Sequence, residues 1–264
     1  MNEILRYELG QDPSRRQDEL AIEEPLEIRV KGKPVSVTMR TPGYDRELAA
    51  GFLLSEGIIA SNDDVVDIEP CKHDTIGNIV NVTLAARTIV DFDRLTRHVF
   101  ASSSCGLCGK ATIDSILQQI APVEPGTVID ASILLALPDK LRQAQPTFDR
   151  TGGLHAAALF TAAGELLVVH EDVGRHNAVD KVIGHALLND MLPLGQHVLL
   201  VSGRASFEIM QKSLAARIPI LAAISAPSTL AVAFAGESGQ TVIGFLRGQR
   251  MNVYSGAERV RFTS

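Results

Sequence analysis

Two thiols stand two residues apart, Cys105 and Cys108, in the run Ser102-Ser103-Ser104-Cys105-Gly106-Leu107-Cys108-Gly109. A pair at this spacing can close a small disulfide, share a metal ion, or pass a sulfur atom from one thiol to the other. The surroundings favour reactivity. Glycine follows each thiol, so little side-chain bulk blocks approach. The run leads into a helix expected over about 110–120, with Ile113, Ile116, Leu117 and Ile120 on one face. Unpaired N–H groups at a helix start favour an anion, and Lys110 adds positive charge, so the thiolate, which is the nucleophilic form, is favoured. Two other readings stay open. Cys71 and His73 could complete a Cys3His structural zinc site with the pair. A thioredoxin-like redox motif is the second, although such a motif follows a strand early in a βαβ unit and this one follows a serine-rich stretch.

Other chemistry-bearing residues gather farther along. Glu171-Asp172-Val173-Gly174-Arg175-His176-Asn177-Ala178-Val179-Asp180-Lys181 is crowded with ionisable groups and bridges an expected strand end and helix start. Capping explains Asp172 or Asn177 alone. The crowd at a strand's carboxyl edge, where α/β folds place ligands, points to binding by Asp172, Arg175, His176 and Asn177. His155, after Gly152-Gly153, is a candidate for the same site; alone it reads as a core histidine. Ser202-Gly203-Arg204 makes the next strand-to-helix turn, where Gly203 permits close backbone approach and Arg204 can grip a phosphate. Ser225-Ala226-Pro227-Ser228 forms another such turn, with helix capping its expected role. Phe245-Leu246-Arg247-Gly248-Gln249-Arg250 follows the last expected strand. Two arginines about a glycine suit a pyrophosphate, or else form a solvated basic turn. Basic turns at the ends of successive strands favour one shared phosphorylated ligand.

The elements that must position these residues follow from periodicity. Leu26 to Thr41 alternates apolar and polar residues about Lys31-Gly32-Lys33 and predicts a hairpin. Asp45 opens a helix to Ser55, stopped by Gly57. Two short strands are expected over 76–92 and a helix over 130–144, with breaks at Pro122, Pro125 and Pro146. From Gly152 onward strands and helices alternate: 155–160 and 166–170 as strands, 176–189 a helix, 197–201 a strand, 206–216 a helix, 218–224 a strand, 228–235 a helix and 241–245 a strand. That order predicts a three-layer α/β domain. The expected division is a flexible lead-in over 1–24, a smaller α+β region over 25–121 carrying the thiol pair, a connecting region over 122–150, and the α/β domain over 151–264.

Bulk properties narrow the class. The chain has 264 residues, 45% of them apolar, no tryptophan and a net charge of −6. That allows one large core or two small ones built from Ala, Val, Ile and Leu. The acidic balance argues against general nucleic-acid binding. No apolar run reaches the roughly 20 residues that cross a bilayer, and the polar start lacks a secretory pattern. The expected compartment is the cytoplasm. Three cysteines, an odd count, do not suit a disulfide-stapled secreted fold.

Taken together these strings resemble the FdhD/NarQ family of formate dehydrogenase accessory sulfurtransferases. The resemblance runs from about Pro25 to Tyr254. It is carried by Arg40-Thr41-Pro42-Gly43, Glu47-Leu48-Ala49, Gly51-Phe52-Leu53 and Ser55-Glu56-Gly57-Ile58-Ile59, then by Ser103 to Lys110 and Thr151-Gly152-Gly153-Leu154-His155. Glu171 to Lys181, Ser202-Gly203-Arg204 and Gly244-Phe245-Leu246-Arg247-Gly248 complete it. It implies a sulfurtransferase that takes persulfide sulfur from a cysteine desulfurase. The acceptor is the molybdenum bis(molybdopterin guanine dinucleotide) cofactor, bound as substrate and destined for formate dehydrogenase. Cys105 would carry the persulfide and Cys108 assist release, and Phe245 to Arg250 would bind the cofactor. The resemblance also implies a cytidine-deaminase-like larger domain with a mixed sheet, a homodimer, and no tightly held metal. Deamination itself is not implied, because no His-x-Glu precedes a Pro-Cys-x-x-Cys. The rival classes are a zinc-stabilised binding module and a cofactor chaperone that transfers no sulfur.

Overall fold

A computed structural model of the chain describes residues 1–92, 117 and 120–262. The thiol pair Cys105/Cys108 and most of the helix expected after it lie outside the described residues. The chain opens with β1 (Asn2–Arg6) and β2 (Ser14–Asp18), an antiparallel ribbon. The lead-in over 1–24 is therefore regular in part. Its strands carry mostly exposed, polar side chains on both faces, so they lack the alternation that marks a half-buried strand.

Next come β3 (Glu24–Val30), β4 (Lys33–Arg40), α1 (Asp45–Ser55), β5 (Val65–Pro70) and β6 (Ile79–Leu84), and the strands form one sheet in the order β4-β3-β6-β5. The β3–β4 hairpin and α1 stand where periodicity places them. The two strands expected over 76–92 do not: β6 alone falls there, and its antiparallel neighbour β5 comes earlier. A register shift between Val65 and Asp67 puts adjacent apolar residues into β5, which blurs its period.

The rest of the chain supplies β7 (Ile129–Asp130), α2 (Ala131–Gln143), α3 (Pro146–Thr151), β8 (His155–Thr161), β9 (Leu166–Asp172), α4 (Arg175–Leu188) and β10 (His197–Val201). It continues with α5 (Phe207–Ala215), β11 (Ile220–Ala223), α6 (Thr229–Ser238), β12 (Thr241–Arg247), β13 (Arg250–Ser255) and β14 (Val260–Arg261). Six strands form a mixed sheet ordered β13-β12-β11-β10-β8-β9, with β10, β11 and β12 parallel. Four elements here were not expected, among them the short parallel pair β7 and β14. Pro146, read as a break, occupies the first turn of α3, where a missing N–H costs nothing. The turn expected after β12 continues into β13, with Arg247 paired to Arg250.

Alternate residues of this sheet face opposite sides. Ala157, Leu159, Leu199, Val201, Leu221, Ala223 and Val242 join one buried cluster with α1, α4, α5, α6 and the small sheet. Ala156, Ala158, Phe160, Val198, Leu200, Ile220, Ala222 and Ile243 join a second with Leu134, Leu137 and Leu141 of α2. Helices thus cover both faces, and the α/β class read from the alternation holds. The first cluster also holds Leu26, Ile28 and Val30 of β3, so the smaller sheet shares a core with the larger one.

The joint between the two sheets is a close helix crossing. A Cβ at Gly51 of α1 would lie 1.9 Å from the carbonyl oxygen of Asp180, and one at Gly184 of α4 would lie 1.8 Å from that of Glu47. Only glycine lets the backbones meet this closely. Beside the crossing, the Asp180 carboxylate accepts from Lys212 Nζ of α5 at 2.9 and 2.8 Å and from Ser55 Oγ at 3.0 Å. Three helices are thereby pinned by a paired charge with little access to water.

Candidate functional site

The parallel strands β10, β11 and β12 end on one edge of the large sheet. Because β8 runs antiparallel to β10, its first residue, His155, lies on that edge too. A cavity of about 600 Å³ opens there, lined by Asp139, Arg142, Gln145, Phe148, Gly152–His155, Ser202, Ile224, Arg247 and Gly248 among others. His155, Ser202, Arg247 and Gly248, which the sequence placed on three separate turns, therefore share one wall.

Each is held for a local reason. Ser202 continues β10 past its last residue: its N–H donates to the Ala156 carbonyl and its Oγ accepts from Ala156 N–H, both at 2.9 Å. Gly203 is buried against His155 and Arg175; a Cβ there would sit 3.5 Å from His155 Nδ1. The His155 imidazole is pushed below its ordinary pKa, first by burial and then by the charges of Arg175 and His176, against the pull of Asp172. At neutral pH it is an uncharged donor–acceptor on the cavity wall. Arg175 turns its Nε into the protein, buried and without a hydrogen-bond partner.

The Phe245–Arg250 turn owes its shape to a bulge. The β12–β13 register shifts between Gly244 and Arg247, and Phe245 takes φ 52°, a conformation strained for a bulky residue. Leu246 points into the core with no exposure, while Arg247, Gly248, Gln249 and Arg250 are exposed. The Arg247 guanidinium lies 5.5 Å from the Phe245 ring centroid. Arg204 is likewise exposed, on the turn after β10.

Asp172 and Asn177 sit apart from the cavity. Asp172 has no exposure. Its carboxylate accepts from Gly174 N–H at 2.8 Å, Asn177 Nδ2 at 3.0 Å, Thr41 N–H at 3.2 Å and Lys181 Nζ at 2.7 Å. Asn177 Nδ2 also donates to the Met39 carbonyl at 2.8 Å, and its Oδ1 accepts from Thr38 Oγ1 at 3.1 Å. These two residues tie the end of β4 to the start of α4, and all their polar atoms are engaged. His176 Nε2 lies 2.8 Å from Glu208 Oε2 and 3.3 Å from Ser206 Oγ. The hydrogen bond from His176 is the main reason the Glu208 carboxyl titrates below its ordinary range.

Sequence reasoning missed the opposite part of the lining, which comes from α2 and α3. Glu171 explains how α3 is held: its carboxylate accepts from Thr147 N–H at 2.9 Å and Phe148 N–H at 2.7 Å, capping the helix from the neighbouring strand. Gly152, at φ 64°, ends the helix in the left-handed conformation. A proline opening a short helix and a glycine closing it were the available signals.

Of the described residues flanking the thiol segment, Ala121 and Pro122 lie toward the other edge of the large sheet. The Phe92 ring sits under Lys33 Nζ at 4.7 Å, at the β3–β4 turn. Arg217, just before β11, donates to the carbonyls of Ala121 and Pro122. A second cavity of about 630 Å³ opens on that side, lined by 123–128, Pro193, Gly195, Arg217 and their neighbours. Cys71 lies on the β5–β6 connection, and the N–H of His73, followed by the Asn81 side chain, draws its thiol below the ordinary value. Among the described residues no three His, Cys, Asp or Glu side chains converge as metal ligands. None of the described helices is long and apolar enough to cross a membrane.

Comparison with known proteins bears on family and fold. The family model described as FdhD/NarQ family matches residues 21–261. A relative named sulfur carrier protein FdhD from Streptomyces coelicolor is 55% identical over 255 residues, covering 94% of this chain and 90% of the relative. One of the same name from Mycobacterium tuberculosis is 53% identical, covering 93% and 92%. Among solved structures, one described as a formate dehydrogenase accessory protein from Desulfotalea psychrophila superposes with a TM-score of 0.78. It is 25% identical and covers 99% of this chain and 98% of the other.

Proposed function

The chain belongs to the FdhD/NarQ family, and from that premise we propose that it carries sulfur from a cysteine desulfurase to the molybdenum bis(molybdopterin guanine dinucleotide) cofactor of a formate dehydrogenase. The Cys105 thiolate attacks the outer sulfur of the donor's persulfide. The donor's S–S bond breaks, its cysteine leaves as a thiolate, and Cys105 becomes a persulfide. Cys108 then attacks the inner sulfur of Cys105, the outer sulfur departs as hydrosulfide toward the metal, and a Cys105–Cys108 disulfide remains. Two electrons from a thiol reductant restore the pair.

The observation that carries the reading is the cavity at the carboxyl edge of β10–β12, where Arg247, His155 and the Ser202 turn meet. Its volume suits one nucleotide arm of the cofactor. Arg247 can grip a pyrophosphate in two-point fashion, and the exposed Arg204 and Arg250 add positive charge near the same edge. The cofactor has two guanine arms and each chain offers one such cavity, which favours a homodimer as the working form. The proposed compartment is the cytoplasm, and the large mixed sheet with helices on both faces suits the cytidine-deaminase-like assignment.

Mass spectrometry after incubation with a cysteine desulfurase and cysteine tests the chemistry. The expected result is one added sulfur on the peptide holding Cys105, absent in Cys105→Ala, together with loss of formate dehydrogenase activity in cells carrying that variant. Full activity with Cys105→Ala, or stoichiometric zinc held by the thiols, would sink the proposal.

A further inference from the structure

The cavity at the amino edge of the large sheet has no part in the sulfur-carrier chemistry proposed above. It opens where β10 and β11 begin, since Gly195 and Gln196 precede the one and Arg217 and Pro219 the other. Its two walls are the 123–128 segment and the turn before β10, and Thr127 Oγ1 ties them by donating to the Gly195 carbonyl at 2.6 Å. Val123, Pro125, Val128, Ala162, Pro193 and Pro219 make much of the lining apolar. About 630 Å³ is room for one small organic molecule.

Two arginines set the charge. Arg217 lines the cavity at φ 63°, an uncommon conformation for a residue with a long side chain. Its guanidinium donates to the Ala121 and Pro122 carbonyls, which are dipoles and not charges. Further N–H donors remain for a ligand, because a guanidinium carries five. Arg259 stands behind the wall and is 5% exposed. Its Nη2 donates to the carbonyl of Glu124, a lining residue, at 2.8 Å and to that of Gly239 at 3.3 Å. Its Nε and Nη1 are buried without partners. Among the described residues neither arginine is ion-paired. Burial of a guanidinium without a counter-ion is costly, and an anion in the adjoining cavity offsets that cost. The one lining carboxylate among the described residues, on Glu124, is exposed and pairs with neither arginine.

We infer that this cavity binds a small organic oxyanion. Arg217 grips the head group, Arg259 adds positive charge from behind the wall, and the proline-rich lining takes the apolar body. Neither the thiols nor the carboxyl-edge cavity enters into this binding.

Isothermal titration of the full chain with phenyl phosphate, an oxyanion on a flat apolar body, tests this. Benzyl alcohol, which lacks the charge, should bind at least about tenfold more weakly. Arg217→Asn should weaken phenyl phosphate by about tenfold or more; asparagine tolerates the left-handed conformation, so the fold is kept. Glu124→Gln, at an exposed position, should tighten binding by about two- to fivefold, a gain that misfolding does not produce. Arg259→Met should weaken it by about threefold or more; should that variant not fold, Arg217→Asn and Glu124→Gln decide. Arg247→Ala, which alters the other cavity, should change nothing. The site is overturned if the intact protein does not bind phenyl phosphate or binds benzyl alcohol equally well. It is also overturned if Arg217→Asn, Glu124→Gln or a folded Arg259→Met binds phenyl phosphate as the intact protein does, or if Arg247→Ala abolishes binding.

Discussion

His170 shows what a single buried residue contributes to stability. It lies in β9, 4% exposed, with both ring nitrogens buried and without partners. The Tyr44 ring lies 4.3 Å from it and the His185 ring 6.0 Å. Burial, then the nearby His185 and Lys181, lowers its pKa to about 4. The folded protein therefore holds this ring neutral while the unfolded chain takes up a proton near pH 6.5. Stability is complete above that value and falls with pH until about 4, where the folded form also titrates. By pH 5 the loss from this group is about 2 kcal/mol. Unfolding free energies from denaturant titrations at pH 7.5 and pH 5 should differ by that amount more in the intact protein than in His170→Phe; equal pH dependence in both would refute the assignment. Residues of this kind are hard to read from sequence. Cys105, Cys108, His155 and Arg247 announce chemistry by type and spacing. Glu171 and Gln145 do not, because their roles depend on one another: a carboxylate on β9 takes over the α3 cap and leaves the glutamine amide unused.

Between elements, the fold depends on the crossing of α1 and α4. The helical spacing of Leu48, Phe52 and Leu53 places α1 correctly from sequence, yet Gly51 then reads only as a weak helix former. Its reason lies on a helix far along the chain, where the Asp180 carbonyl occupies the space a Cβ would need. The obstruction is backbone, so no rotamer change relieves it. Gly51→Ala should cost about 3 kcal/mol or more, the upper range of overpacking, and denaturation should show either that loss or no folded protein. Gly236 in α6 is the control: a Cβ there meets nothing within 4 Å. Gly236→Ala should stabilise by about 0.5–1 kcal/mol through helix propensity. If both substitutions had similar effects, the crossing would not be the constraint described.

Across the whole molecule, local pattern and long-range packing divide what sequence can disclose. The strands and helices from His155 to Phe245 were legible because short, almost continuously apolar strands buried on both faces alternate with helices. The ribbon β1–β2 and the bulged β5 were not, since exposure or a register shift erases the period; β13 keeps its alternation but begins inside the basic turn. The expected connecting region over 122–150 also hides a fact of packing. Val123 and the small sheet belong to the cluster that covers one face of the large sheet, and α2 covers the other face. The small sheet has no buried cluster apart from the one it shares with the large sheet. The molecule should therefore unfold in one cooperative step, although a chain of this length is long enough to break that rule. Ile28→Ala in β3 and Leu199→Ala in β10 each remove a fully buried side chain from the shared cluster. Each should cost about 2–5 kcal/mol and move the same single transition, followed by calorimetry and by tyrosine fluorescence. An early, separate transition produced by Ile28→Ala alone would mean that the small sheet folds by itself. Asp172, Lys181 and Asn177 would then tie two independent bodies together.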